Sequence, residues 1–259
     1  MSLKFTKSKT SPSEHTVADV SHFVAHIAEE KQKEESKGHA EDFIFRGQAI
    51  DKALYPKLQR LLPDKERRAD RERIMLEEFR RTSAAFTGHA KVNDWDLVSI
   101  AQHHGLPTRL LDWTYSALAA LWFAVSPRKP ENAVVFLLKT RVKDFITQAE
   151  EESLTPFNLP ATRIYRPRHV TPRIAAQRGI FTVHRMQESG GFRAVENISE
   201  LHGRLIKFII PFDAFHLIAQ QLDGCGVNGF ALFPDLPGLC DYLTWRYVQF
   251  PQEQPHSQV

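Results

Sequence analysis

A run of six consecutive apolar residues at positions 133–138 constrains the fold of this chain more than any other feature. A strand with one solvent-facing side alternates apolar and polar residues, whereas an uninterrupted apolar strand has both faces covered. Residues 116–124 are also apolar and have the length of a helix, and Pro127 and Pro130 separate the two segments. The chain is therefore predicted to form a sheet with helices packed against it.

The rest of the hydrophobic pattern places helices and strands in an irregular order. Helical spacing predicts helices over residues 17–28, 60–86, 94–104, 214–222 and 236–247, the first capped by Ser13 or Thr16. β-rich segments predict strands over 42–47, 110–114, 179–183 and 205–210, and four prolines predict a long loop over 156–172. This order predicts an α+β fold with a mixed or antiparallel central sheet flanked by helices. We expect a flexible N-terminus at 1–16, a single domain over 17–247 and a flexible tail at 248–259.

Charge and cysteine content narrow the classes of protein to consider. The 259 residues include 34 Lys and Arg against 31 Asp and Glu, and a net charge of +3 does not by itself indicate a nucleic-acid-binding protein. Two cysteines form no disulfide framework, which predicts a reducing, cytoplasmic compartment. The N-terminus has no signal-peptide pattern, and the longest apolar stretch, residues 117–125, is far below the roughly 20 residues that span a bilayer. We therefore expect no membrane partner.

Arginines are concentrated between residues 67 and 81, but acidic residues interrupt them. Mixed charge at this spacing favours an exposed helix with ion pairs along its surface. A nucleic-acid-binding face, as in a nuclease, stays open as an alternative.

Four residues, Phe45-Arg46-Gly47-Gln48, end the predicted strand over 42–47. A guanidinium there presents a planar set of donors that suits phosphate or carboxylate. The glycine lets a backbone or a ligand approach closely. A buried structural pair between Arg46 and an aspartate is the alternative interpretation.

The segment over residues 102–114 concentrates polar and aromatic side chains around one turn. Adjacent His103 and His104 point to different sides of a helix, so the pair does not predict a metal site, and no metal is predicted elsewhere. Arg109 and Asp112 could pair with each other, or Asp112 could orient Arg46 or Arg109 around a bound phosphate.

Two later segments also hold candidate residues. Arg173 and Gln177 are four apart and would share one face of a helix. Asp235, in Leu232-Phe233-Pro234-Asp235, is placed to cap the last helix. The sequence contains no Walker-type, HExxH, CxxC or GxSxG motif.

Taken in order, these segments resemble the FRG domain family, named for its Phe-Arg-Gly tripeptide. The resemblance rests on residues 45–48, 55–58, 102–114, 119–124, 173–181 and 232–239 and covers roughly residues 17–247. Members are bacterial and phage-associated and often occur in toxin or defence settings. The resemblance therefore implies a toxin or a phage-defence effector.

A more distant resemblance links the chain to ADP-ribosyltransferases, whose first core strand ends in an aromatic-Arg-Gly sequence that grips a phosphate of NAD. It implies NAD as substrate and a transferase-like fold. The implied NAD-binding residues are Arg46, Gly47, Gln48, Arg109, Asp112, Trp113, Thr114 and Arg173. The implied catalytic residues are Gln177, His103 and His104.

The sequence departs from that family at the position of its catalytic glutamate, where it offers Gln177. A neutral amide stabilises an oxocarbenium-like transition state less well than a carboxylate. Glu188 and Glu196 are nearby in sequence and could substitute. The resemblance implies an ADP-ribosyltransferase or NAD glycohydrolase, with a protein or nucleic acid as acceptor, and leaves a non-catalytic nucleotide-binding or phosphate-binding module as the alternative.

Overall fold

One mixed sheet organises the described part of the chain. The computed structural model describes residues 12–38, 42–87, 92–168, 175–201 and 203–250. The strands are β1 (Ser13–Thr16), β2 (Phe43–Gln48), β3 (Leu110–Thr114), β4 (Ala133–Lys139), β5 (Arg163–Tyr165), β6 (Gly179–Val183) and β7 (Leu205–Ile210). Their order is β1-β7-β4-β2-β3-β6-β5; β1 runs parallel to β7 and every other pair is antiparallel. The predicted α+β class with a mixed sheet is confirmed.

Helices cover this sheet and connect its strands. They are α1 (Val20–Ser36), α2 (Lys57–Leu61), α3 (Arg68–Thr87), α4 (Asp94–His103), α5 (Ala117–Val125), α6 (Gln148–Ser153), α7 (Phe215–Gly224), α8 (Gly229–Leu232) and α9 (Leu236–Thr244). A π-helical turn, Trp245–Gln249, continues α9, and Asp235 caps α9 as predicted, accepting a hydrogen bond from the Gly238 amide. No helix of the described residues combines the length and apolar character needed to cross a bilayer.

Apolar side chains leave the sheet on both sides. Val135 and Leu137 of β4 join a core beneath α1, α5 and α7, while Val134 and Phe136 join a second core on the opposite face. A third core lies between α3 and α4 and the β3-β6-β5 half of the sheet. Leu110 of β3 joins the core beneath α4, and Thr114, on the same face of β3, pairs with Phe45 of the core beneath α5, so α4 and α5 cover the same face of the sheet.

The N-terminal segment differs from the sequence expectation. Ser13–Thr16 are not flexible but form β1, because their backbone pairs with the otherwise open edge of β7. The first helix therefore begins at Val20, and Asp19, not Ser13 or Thr16, caps it through the amide of His22.

Two further predicted segments are divided in the structure. The helix predicted over 60–86 is broken between α2 and α3, where Pro63 stands and the Asp64 carboxylate accepts hydrogen bonds from the amides of Glu66 and Arg67. The loop predicted over 156–172 contains β5, which pairs with β6.

Candidate functional site

Strands β2 and β3 separate beside Arg46 of β2 and Asp112 of β3. They pair only at Phe45 and Thr114, whereas β2 pairs with β4 along six residues. The Arg46 guanidinium crosses the gap, and its Nη1 donates a hydrogen bond of 2.8 Å to the Asp112 carbonyl. A side chain thus takes the place of a backbone donor, and the sheet opens beside it.

A cleft of about 330 Å³ lies at this opening. Five aromatic rings and six polar or charged side chains line it, and small-molecule sites commonly combine apolar walls with such polar groups. The lining residues are Phe45, Arg46, Gly47, Gln102, His103, Asp112, Trp113, Thr114, Phe123, Gln177, Gly179, Phe181 and Phe233.

Arg46 supplies the positive charge of the cleft. Its side chain is only 15% exposed, and its Nε is buried without a hydrogen-bond partner among the described residues. Burial lowers the pKa of Arg46, while the Asp112 carboxylate acts in the opposite direction from 3.8 Å. A guanidinium nevertheless stays charged in a protein. Because Asp112 is 54% exposed and does not touch it closely, Arg46 can still accept a second anionic partner.

Asp112 is held from behind by a short hydrogen-bond chain. The Thr108 hydroxyl donates to Gln102 Oε1 at 2.7 Å, and Gln102 Nε2 donates to Asp112 Oδ2 at 2.8 Å. This chain fixes the carboxylate at the mouth of the cleft. It also explains why Gln102, within the 102–114 segment, lines the site.

Thr114 and Gln177 close the far side of the cleft. The Thr114 hydroxyl donates to the Gln177 carbonyl at 2.6 Å and accepts from the Ser116 amide at the start of α5. Gln177 Nε2 donates to the Leu232 carbonyl at 3.1 Å. Both residues therefore join separate elements as well as lining the cleft.

Trp113, whose side chain leaves β3 on the face opposite to that of Thr114, is held by a chain of buried hydrogen bonds. Its Nε1 donates to Thr182 Oγ1 at 3.1 Å, and that hydroxyl lies 3.1 Å from His184 Nε2. His184 Nδ1 lies 3.2 Å from the Arg193 carbonyl, which can only accept, so Nδ1 carries the proton and Nε2 accepts from Thr182. Burial lowers the pKa of His184 to about 3 and keeps it neutral.

Several predicted residues lie elsewhere. Arg109 pairs with neither Asp112 nor a cleft ligand, because it is buried against Glu72 of α3, with Nη2 and Oε2 2.5 Å apart. Gln48 and His104 do not line the cleft: Gln48 Nε2 donates to the Lys52 carbonyl, and His104 is exposed beyond α4, its ring 5.1 Å from that of His103. Arg173 lies outside the described residues.

Apart from Trp113, sequence reasoning missed the aromatic side chains that line the cleft. Phe123 lies near the middle of the chain and Phe233 near its C-terminal end, and their rings meet edge to face at 6.1 Å. In the sequence, nothing distinguishes Phe123 from the other apolar residues of α5. The signal for Phe233 was its place beside Pro234 and Asp235, which start α9.

The alternative candidates do not join the cleft. Glu196 accepts from the Leu54 amide and Glu188 is exposed, so neither is among the lining residues. On α3, Arg80 pairs with Glu77 and Arg81 with Glu78 at exposed positions, as expected, but Arg68 and Glu72 are buried, so the helix is not solvated along its whole length. Within the described ranges, no cluster of His, Cys, Asp and Glu is arranged to hold a metal ion.

Comparison with known families matches part of this site to one family. The model of the FRG domain family matches residues 41–133. This part of the chain is similar to the FRG domain. The matched region runs from β2 to the start of β4 and includes Arg46 and the whole 102–114 segment, whereas Gln177 and Phe233 lie beyond it. No curated protein and no solved structure matches the chain significantly.

Proposed function

We propose that the protein binds NAD in the cleft and cleaves the bond between nicotinamide and ribose, as an ADP-ribosyltransferase or an NAD glycohydrolase. One observation carries the proposal: Arg46 is a nearly buried cation at the opening between β2 and β3, and its Nε has no acceptor among the described residues. A pyrophosphate would supply acceptors for such a group, and the aromatic walls would hold rings. The likeness to ADP-ribosyltransferases points to the same ligand.

The chemistry requires a negative charge near the breaking bond. The carbon–nitrogen bond breaks, its electron pair leaves on nicotinamide, and positive charge develops on the ribose carbon. Water or an acceptor then bonds to that carbon and loses a proton. Gln177 is neutral, so in this proposal it contacts the ribose hydroxyls, while the Asp112 carboxylate stabilises the charge and His103 lies on the nicotinamide side.

Calorimetry with NAD and ADP-ribose tests the binding step. Replacing Arg46 with alanine should weaken affinity about 10- to 150-fold, because a hydrogen bond to a charged group contributes about 1.5–3 kcal/mol. The matched control is Arg67→Ala, since Arg67, just before α3, is 72% exposed and lines no part of the cleft. Equal affinities of wild type and Arg46→Ala would contradict the proposal.

Release of nicotinamide tests the chemical step. Asp112→Asn should lower kcat by about 100-fold or more with little change in NAD affinity, because removing one electrostatic group aimed at a transition state has that scale of effect. Glu188→Gln, an exposed carboxylate outside the cleft, is the control. Saturable binding without release by the wild type would instead indicate a non-catalytic nucleotide-binding module.

We further propose that the protein acts in the bacterial cytoplasm as a toxin or phage-defence effector that consumes NAD or modifies a protein or nucleic acid. Induced expression in a bacterial host should slow growth and lower NAD, and Arg46→Ala should relieve both effects. Transfer of label from NAD to a macromolecule would identify a transferase, and release of free ADP-ribose a glycohydrolase. Growth inhibition that persists in Arg46→Ala would count against this role.

A further inference from the structure

We propose that a second cavity, next to the cleft, binds the purine ring of an adenine nucleotide. This cavity measures about 520 Å³ and lies among α5, α7, α8, α9 and the π-helical turn. The part of the proposal that joins it to the cleft rests on the proposed function, whereas purine binding does not.

A single aromatic layer separates the two spaces. Phe233 lines both, and its ring lies 6.1 Å from Phe123 on the cleft side and 6.0 Å from Trp122 on the side of the second cavity. The rings of Trp122 and Phe123, adjacent on α5, are 5.3 Å apart. The cleft alone is at the lower end of the roughly 300–1,000 Å³ range of small-ligand sites. A dinucleotide has two ring systems, and the two cavities provide two places for them.

Three further aromatic side chains, besides Phe233, line the second cavity. Trp122, Tyr242 and Trp245 line it, and the rings of Tyr242 and Trp245 are 6.1 Å apart. The indole N–H groups of Trp122 and Trp245 make no hydrogen bond with the described residues, and both side chains are half-buried. Flat apolar faces with unused donors suit a heteroaromatic ring whose edge carries nitrogen acceptors.

Two carboxylates line the cavity: Asp223 accepts hydrogen bonds from neighbouring side chains, and Asp241 is available to a ligand. Asp223 accepts from Asn228 Nδ2 and the Tyr242 hydroxyl, both at 3.0 Å, and from Arg246, so it braces α7, α8 and α9 around the space. Asp241 also lines the cavity, is exposed, and its carboxylate has no partner among the described residues. It is an acceptor for the exocyclic amine of adenine.

Calorimetry with adenosine and inosine tests the ring site by itself. Trp245→Ala should weaken adenosine binding about 5- to 150-fold, the range expected for losing one stacked base, and Tyr247→Ala should not, because Tyr247 is 73% exposed on the same turn and lines no cavity. Thermal melting checks that both variants fold. Because inosine lacks the exocyclic amine, the wild type should prefer adenosine by about tenfold, and Asp241→Ala should remove that preference.

Calorimetry with NAD and with nicotinamide mononucleotide, which has no adenine, tests whether the purine site and the cleft bind one ligand together. NAD affinity should fall in both Trp245→Ala and Arg46→Ala, whereas the mononucleotide should respond only to Arg46→Ala and adenosine only to Trp245→Ala. If NAD binding depends on Arg46 but not on Trp245, the purine site is wrong and the proposed function stands. If adenosine binds through Trp245 while NAD and the mononucleotide do not bind, the purine site stands and the proposed function is wrong. Absence of any adenosine binding overturns the purine site.

Discussion

At the scale of single residues, Phe45, Arg46 and Gly47 each have a different structural role. Phe45 is 4% exposed and packs with α5 in the core. Arg46, with its side chain on the opposite face of the strand, reaches into the gap beside β3. Gly47 returns to the face of α5 and lies beneath its backbone. The cleft therefore depends on a position where α5 leaves no room for a side chain.

Gly47→Ala should destabilise the fold by about 1–3 kcal/mol or more, the cost of overpacking a core. A Cβ at this position would overlap the Ala120 carbonyl oxygen and stand 2.7 Å from the Ala124 nitrogen, so α5 would have to move. Urea unfolding measures the change. Gly224→Ala is the control, because a Cβ there meets nothing within 4 Å. Equal unfolding midpoints for the two variants would refute this account of Gly47.

At the scale of elements, the buried pair of Glu72 and Arg109 joins α3 to the start of β3. The two side chains are 1% and 5% exposed, and Arg109 Nη1 also donates to the Pro156 carbonyl at 3.1 Å. Every charged group of the pair has a partner, which is the condition for burying ions. Arg109 thus belongs to the frame that positions the 102–114 segment.

Glu72→Gln should cost about 3–5 kcal/mol in the free energy of unfolding, because it leaves the Arg109 charge buried without a counter-ion. Glu78→Gln should cost less than about 1 kcal/mol, since its pair with Arg81 is exposed. Chemical denaturation of both variants gives the comparison. A loss of NAD affinity in Glu72→Gln with unchanged stability would show instead that Arg109 serves a ligand.

The five internal strands of the sheet could be predicted from the sequence, because each is an apolar or β-rich segment. β4 and β6 follow from their own apolar runs, and β2, β3 and β7 from β-rich segments of five or six residues. β1 and β5 are short, and Ser13–Thr16 carries no apolar residue. Both lie at the edges of the sheet, where the open backbone of β7 or β6 decides the pairing. Their own side chains could not reveal it.

The same distinction applies to the candidate site. Arg46, Asp112, Trp113 and Thr114 could be picked out because they are local to two short segments that line the cleft. The partner of Arg109 could not, because Glu72 is 37 residues away among many charged residues of a long helix. Whether the lining residues bind or catalyse stays a prediction.

At the scale of the whole molecule, His184 should make the stability of the protein fall in weak acid. Its folded-state pKa of about 3 lies below the roughly 6.5 of an unfolded histidine, because burial, with Arg46 and Arg109 nearby, disfavours the charged form. Below pH 6.5 the unfolded chain therefore binds a proton that the folded chain does not, and this group's contribution is complete only above that pH.

The free energy of unfolding should therefore decrease by up to about 1.4 kcal/mol per pH unit from this group as pH falls from 6.5 toward 4.5. His184→Gln should be less stable at pH 7, since it disturbs the relay to Trp113, but its stability should change less steeply over that window. His22→Gln, at an exposed position, should keep the wild-type slope. Urea unfolding at half-unit pH intervals measures all three proteins. Parallel curves for wild type and His184→Gln would mean that His184 takes up a proton in the folded state, and the neutral relay under the cleft would then be wrong.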